Sequence, residues 1–522
     1  MPKTPGNDDA FKVYDPARVS HIPVSQSVRR PSGVAGSLAT PDPRVVGAAP
    51  LDPGLKSGHP CRGASFTTLY NELNGSCTTK CVPPTWGAGA AEGKSGKKGT
   101  FVAKKVRTMT AAYHTVTLEN GLRCALLPVR SRVVWSGFGI HSGSRDDPEG
   151  LPGLAHFVEH TLFKGTTHRR ADHIRNRMEV VGGSIDAYTT KDETVVYTVG
   201  PRGELTRAME LLGDLIRHST FPERELELER GVVRDEINLY RDTPSDRIFD
   251  EWDERFFRDR TLAHPILGDT RSLDRMSRED LLSYTERTFR PDRLLFFVMG
   301  QVTPQRFEEL CQRYLSEPFS SRVQSSPRPE LQLPIALTDQ SPHIVHSRTH
   351  QAHTLLGGLG VTYNDPDRAA QNLLLQLLAG DGMNTRLNVE LREQRGWVYN
   401  VEASVTCFPD VGWWQIYFGS DDDHADEALG IVLEELDRLM QEPLSEQSLR
   451  AWKKQTKGLA LVSSEQSEST FLSFGRQMLL RGRYEVLEEY FARIDAVTTE
   501  SLMETARSLF AHPFTLIYNG KK

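Results

Sequence analysis

The sequence contains no run of 18 or more apolar residues, so no membrane-spanning helix is expected. Its N-terminus has none of the apolar core of a secretory leader, and Asp8, Asp9 and frequent prolines spoil the amphipathic helix of a mitochondrial transit segment. Cysteine is scarce: six in 522 residues, at 61, 77, 81, 124, 311 and 407. Sparse, scattered thiols exclude a disulfide framework and point to reduced cysteines in a cytoplasmic setting. Cys77 and Cys81 are spaced as a metal pair can be, but no second pair follows at zinc-finger spacing. A surplus of basic charge is also missing. Residues 1–108 carry 15 Lys+Arg against 7 Asp+Glu, which leaves −14 on residues 109–522 of a chain whose net charge is −6. That balance argues against a nucleic-acid partner, which requires a concentrated basic surface.

The sequence reads as three unequal parts. Residues 1–108 contain 12 Pro and 13 Gly and no useful hydrophobic period, the composition of a disordered tail. A domain-like pattern opens at Met109. His114–Pro128 reads as strand, Asn-Gly turn, strand. Val133–His141, Gly183–Thr190 and Glu193–Val199 read as strands, and Gly153–Phe163 as a helix. Glu204–His218 is amphipathic, and Pro222 starts a long helix over Glu223–Arg241. Residues 321–342 have the Ser/Pro composition of a linker. Beyond it the order partly repeats: strand 354–361, helix 367–379, strands 400–407 and 412–419, then helices 426–440 and from Pro443 to 461. The expected fold is therefore α+β, with two related halves at 109–320 and 343–522. Each half is an antiparallel-rich sheet carrying helices.

Chemistry concentrates in the string His156-Phe-Val-Glu159-His160. On a helix, residues i and i+4 share a face, so the two imidazoles can reach one ion, and Glu159 sits beside it. Zinc takes nitrogen ligands, and a catalytic site keeps one position for water, whose proton a neighbouring carboxylate can accept. The order inverts the commoner His-Glu-x-x-His. An ordinary polar surface helix would show the same letters. Two features weigh against that reading: the Gly-rich approach Glu149–Gly153, which thins the backbone there, and the availability of a third ligand. Within Glu223–Arg241, Glu229 and Glu236 lie seven residues apart on one side of a helix. One can bind metal while the other steadies a histidine; composition does not choose between them.

These words resemble the inverzincin peptidases, the family of pitrilysin, insulin-degrading enzyme and the mitochondrial processing peptidases, in its short, bacterial form. The matching strings are HFVEHTLFKGT (156–166), GGSIDAY (182–188) and ERGVVRDEI (229–237), and the likeness spans residues 109–522. It implies a zinc endopeptidase that hydrolyses peptides or unfolded segments, with one Zn2+ per chain. Glu236, 76 residues after His160, falls at the family's third ligand position, and Glu229 at its supporting Glu. Glu159 takes the place of the general base. Arg392 and Tyr399 match a pair that reaches from the second half to bind substrate and stabilise the tetrahedral intermediate. Ala187 and Tyr188 fall on an edge strand against which a peptide lies as an added strand. The second half has no His-x-x-Glu-His. Because one chain holds both the zinc motif and the Arg–Tyr pair, the resemblance implies a homodimer, or a heterodimer with a related subunit. The rival expectation is a non-catalytic partner subunit, which usually lacks one of the zinc ligands that are all present here.

Overall fold

A computed structural model describes residues 113–319 and 342–520 except 348, together with 328, 330–332, 335 and 336. The tail at 1–108, with Cys61, Cys77 and Cys81, and most of the linker at 321–342 lie outside the described residues. The expected α+β class with two sheets is what the chain forms. In the first half, β1 (His114–Thr117), β2 (Arg123–Pro128), β3 (Val133–Ile140), β4 (Ser184–Thr189), β5 (Thr194–Pro201) and β6 (Leu294–Gly300) make a six-stranded sheet in the order β1-β2-β6-β3-β5-β4. In the second half, β7 (His343–His346), β8 (Ala352–Gly360), β9 (Val398–Cys407), β10 (Gly412–Ser420) and β11 (Phe514–Asn519) form a five-stranded sheet in the order β7-β11-β8-β10-β9. The runs β6-β3-β5-β4 and β11-β8-β10-β9 correspond strand for strand. Pairing is antiparallel except for β2 with β6 and β7 with β11.

Local chemistry accounts for most of these elements. The β1–β2 turn needs Gly121, whose φ is 86°, and the Asn120 side chain accepts the Leu122 N–H. Helices α1 (Leu154–Leu162), α2 (Ala171–Glu179) and α3 (Leu205–His218) cover one face of the first sheet, and α4 (Glu223–Asp242) packs outside them on α1. On α3, Leu205, Ala208, Met209, Leu212, Leu215 and Ile216 are buried, as the helical period requires. Pro222 caps α4, and Glu223 and Glu225 in its first turn suit the positive end of the helix. The second sheet carries α7 (Arg368–Ala379), α8 (Ala425–Gln441) and α12 (Thr499–Phe510), with α9 (Glu446–Ser464) and α11 (Leu487–Ala496) packed on α7, while α6 (Pro304–Leu315) packs on α3. Strand β6 (LLFFVMG) is buried along its whole length, so it lacks the alternation that marks a half-buried strand. Cys124, Cys311 and Cys407 are buried free thiols. No helix among the described residues is long and apolar enough to cross a membrane.

Each sheet has a second apolar face, and it is covered by a helix from the other half. α5 (Pro244–Phe256) brings Ile248, Trp252 and Phe256 onto Leu355, Phe514 and Leu516 of the second sheet, where the Trp252 indole N–H donates to the Phe514 carbonyl. In return α10 (Ser467–Arg481) lays Phe471, Phe474 and Met478 on Ala125, Val195 and Phe297 of the first sheet, with the Phe297 and Phe471 rings 4.5 Å apart. Compositional boundaries therefore separate the sheets but not the cores. The contact is tight at Gly475 on α10, where a Cβ would lie 2.2 Å from the Phe297 ring. Helix propensity alone favours Ala there by about 0.5–1 kcal/mol. Gly475→Ala is nevertheless expected to destabilise the chain by roughly 1–3 kcal/mol, because a stacked ring must be displaced. A urea midpoint no lower than that of the wild type would show the interface to be loose.

Candidate functional site

Helix α1 buries Leu154, Ala155, Phe157, Val158 and Leu162 in the core of the first half, which leaves His156, Glu159 and His160 on the face toward α4 and β4. Its start is fixed from outside the helix. The half-buried Asp147 carboxylate accepts the Gly153 N–H at 2.7 Å and the Ala155 N–H at 2.8 Å, supplying the cap that Gly153 cannot. Gly153 has φ 92° and crosses the backbone at Gly268, φ 66°; a Cβ on Gly153 would stand 2.6 Å from the Leu267 carbonyl oxygen. The thin backbone expected ahead of α1 is thus used for a chain crossing.

The two imidazoles and one carboxylate from α4 converge. One Oε2 of Glu236 lies 3.3 Å from His160 Nε2 and 3.8 Å from His156 Nε2, and the two rings are 4.5 Å apart. The ligand atoms of all three residues fall within 4.8 Å of one another. Ligands about 2.0–2.2 Å from a tetrahedral zinc are themselves about 3.4 Å apart, so the donor set fits that ion in both kind and spacing. Glu229 meets the other side of His160, its Oε1 3.1 Å from Nδ1, while Lys164 holds the second oxygen at 2.5 Å. Geometry thus separates the two α4 carboxylates that composition leaves equivalent.

Burial and neighbouring charge set the protonation of the site. Burial, with a contribution from His160, pulls His156 down to about 3, so this ring is a neutral base at pH 7. Burial also opposes the charged form of His160, but hydrogen bonds to Glu229 and Glu236 outweigh it and raise that ring to about 10. Burial lifts Glu159 to about 7 against the opposing pull of His160 and the Thr189 hydroxyl; Glu236 and Asp186 add to the rise. Its Oε2 is buried and has no hydrogen-bond partner among the described residues. Such an unpartnered carboxylate oxygen, beside a ready metal-donor set, can accept a proton.

The remaining expected residues are placed less closely. Ala187 lies on β4, the outermost strand of the first sheet, and packs toward the core that also holds α1. Its N–H donates to the Asp186 carboxylate at 2.8 Å. Tyr188 points to the opposite face; it is 5% exposed among Val195, Tyr197 and Phe471, and its hydroxyl donates to Glu193. Its side chain is therefore unavailable to a ligand, and only its backbone lies at the sheet edge. Arg392 sits in one π-helical turn, Asn388–Glu393, with its guanidinium 5.5 Å from the centre of the Tyr399 ring. Tyr399 is 77% exposed. The two are brought to each other, but no hydrogen bond or ion pair links either to the His156 cluster among the described residues. Sequence reasoning passed over Asp147, Lys164 and Thr189. Lys164 stands four residues after His160, a spacing that could have placed it near Glu229. Asp147 caps α1 from six residues before Gly153, a distance at which no local capping pattern operates.

Comparison with known proteins follows the same division of the chain. The family model described as Insulinase (Peptidase family M16) matches residues 130–270, and that described as Peptidase M16 inactive domain matches 275–456. An uncharacterised zinc protease of Mycobacterium leprae is 30% identical over 424 residues, covering 80% of this chain and 92% of its own length. The mitochondrial-processing peptidase subunit beta of Bos taurus is 28% identical over 428 residues, covering 79% of this chain and 86% of its own. Among solved structures, a protease from Helicobacter pylori superposes with a TM-score of 0.72 at 20% identity, over 78% of this chain and 99% of that one. The fold, the spacing of the histidine–carboxylate cluster and these similarities lead to one conclusion: the chain belongs to peptidase family M16.

Proposed function

We propose that this protein is a zinc-dependent endopeptidase with one catalytic centre per chain, in which His156, His160 and Glu236 hold the metal. The observation that carries this reading is the convergence of three ligand atoms from two helices, with the free oxygen of Glu159 beside them. Zinc held there supplies a Lewis acid and a water acidic enough to attack a carbonyl at neutral pH. With the metal bound, Glu159 would be the residue that accepts a proton from the attacking water and donates it to the leaving amine. Glu229 orients the His160 ring through Nδ1, and Lys164 keeps Glu229 ionised and in place. The outer edge of β4 offers backbone hydrogen bonds to an extended peptide once the Ala187 N–H leaves the Asp186 carboxylate, which favours unfolded segments over folded proteins. Arg392 and Tyr399 supply cationic and phenolic donors for the substrate carbonyl and the developing oxyanion.

The second half contributes these donors but no metal ligands, so the working unit pairs the halves, and two chains closing around a peptide form a homodimer. Pairing with a related subunit is the variant suggested by the relative named as a subunit of the mitochondrial-processing peptidase. The reading is tested by stripping the full chain with a chelator and restoring zinc in steps. Cleavage of a quenched fluorescent peptide is expected to rise in proportion to bound zinc and to saturate when the His156 centre is filled. Cleavage by the stripped chain at the wild-type rate would overturn it.

A further inference from the structure

The first half contains a second convergence of metal-ligand atoms, away from the His156 cluster. The loop after α1 carries His168 to the last turn of α3, where Asp214 and His218 stand. One ligand atom from each of His168, Asp214 and His218 lies within 4.8 Å of the other two. The rings of His168 and His218 meet edge to face with centroids 4.8 Å apart, close to the 4.5 Å of His156 and His160.

Two further features distinguish this group from a chance surface cluster. The 2.6 Å contact of His168 Nδ1 with Asp214 Oδ1 lies within the ligand set and opens when an ion enters, whereas His218 has a carboxylate outside the set on one nitrogen: its Nε2 is 3.3 Å from Glu317 Oε2. Metal-binding histidines are oriented in this way, with one ring nitrogen against a carboxylate. The Asp214 carboxylate is also fixed in advance. It is 6% exposed, and its Oδ2 accepts from the Thr166 hydroxyl at 2.8 Å and from Arg169 at 2.6 Å. Oδ1 is the oxygen left facing the histidines. Arg169 and Arg217 flank the group, which weighs against a hard cation bound by oxygen alone. Imidazole nitrogen selects instead for zinc and its neighbours.

We propose that His168, His218 and Asp214, with Glu317 supporting His218, form a second divalent-metal site selective for zinc-class ions. His168 is 59% exposed at its side chain, so the ion exchanges with solution. When bound, it ties the loop that carries Lys164 to the end of α3. The site does not depend on the catalytic reading, because it shares no ligand with the His156 cluster.

The test is zinc uptake by the full, chelator-stripped chain titrated with zinc chloride and measured by elemental analysis. The double variant His168→Ala/His218→Ala is expected to hold one zinc equivalent fewer than the wild type. His156→Ala/His160→Ala is expected to lose a different equivalent, and the fourfold variant to lose both. His168→Ala alone changes only an exposed ring; it is expected to keep the wild-type melting temperature in chelator and to weaken the second equivalent by about tenfold or more. Equal uptake by the wild type and the His168→Ala/His218→Ala variant overturns the second site whatever happens at the first. Loss confined to that variant would leave the second site standing and count against the first.

Discussion

Glu159→Gln is expected to lower kcat/KM for a quenched fluorescent peptide by about 10²–10⁴-fold, the range typical of a positioned general base. Zinc content should stay at the wild-type level. The substitution preserves size and helix propensity, and Glu159 is not one of the three converging ligand residues. What it removes is the carboxylate oxygen that lies buried without a partner and that burial has lifted to about 7. An amide at that position cannot accept the proton. Zinc lost together with activity would make Glu159 part of the metal cage, and unchanged kcat/KM would leave the proton to another group. Either result removes Glu159 from the role of base.

A second large effect is expected at α4, where two carboxylates on one helix face should behave differently. Glu229→Gln weakens the support of His160 and should cost about 10–100-fold in zinc affinity. Glu236→Gln removes a donor that lies 3.3 and 3.8 Å from the two ring nitrogens, so its cost should exceed that range. Activity at micromolar zinc should then fall below detection. The contrast, read by competition with a chromogenic chelator, tests the assignment more sharply than either variant alone. The reverse ranking would exchange the roles of the two residues. Acid should mimic the Glu236 variant, because metal competes with protons for these ligands and His160 already holds its proton tightly when metal is absent.

Much of this was legible in the sequence, for physical reasons. The i, i+4 spacing of His156 and His160 fixes their common face, and amphipathic α3 and Pro-led α4 announce themselves by period and cap. The Asn120-Gly121 turn fixes the first hairpin. The strand β6 was harder to read, because burial on both faces erases alternation. The faces of β4 follow from its period: adjacent strand residues point to opposite faces, so Ala187 facing α1 obliges Tyr188 to face α10, and a peptide added to this edge meets Tyr188 through its backbone. Arg392 and Tyr399 were legible as a pair but not in their distance from the histidines, since a seven-residue spacing says nothing of how far the second half must reach. Asp147 and Lys164 act through tertiary contacts that no short window contains.

The exchange of α5 and α10 has a consequence for synthesis. The strands of the first sheet are complete once the ribosome has passed Gly300, but the apolar face bearing Ala125, Val195 and Phe297 stays bare until Ser467–Arg481 emerges. At about 5–20 residues per second that interval lasts on the order of ten to thirty seconds. During it the nascent chain displays a sticky plate that only its own distant segment fits, so productive maturation depends on keeping that plate from meeting others like it.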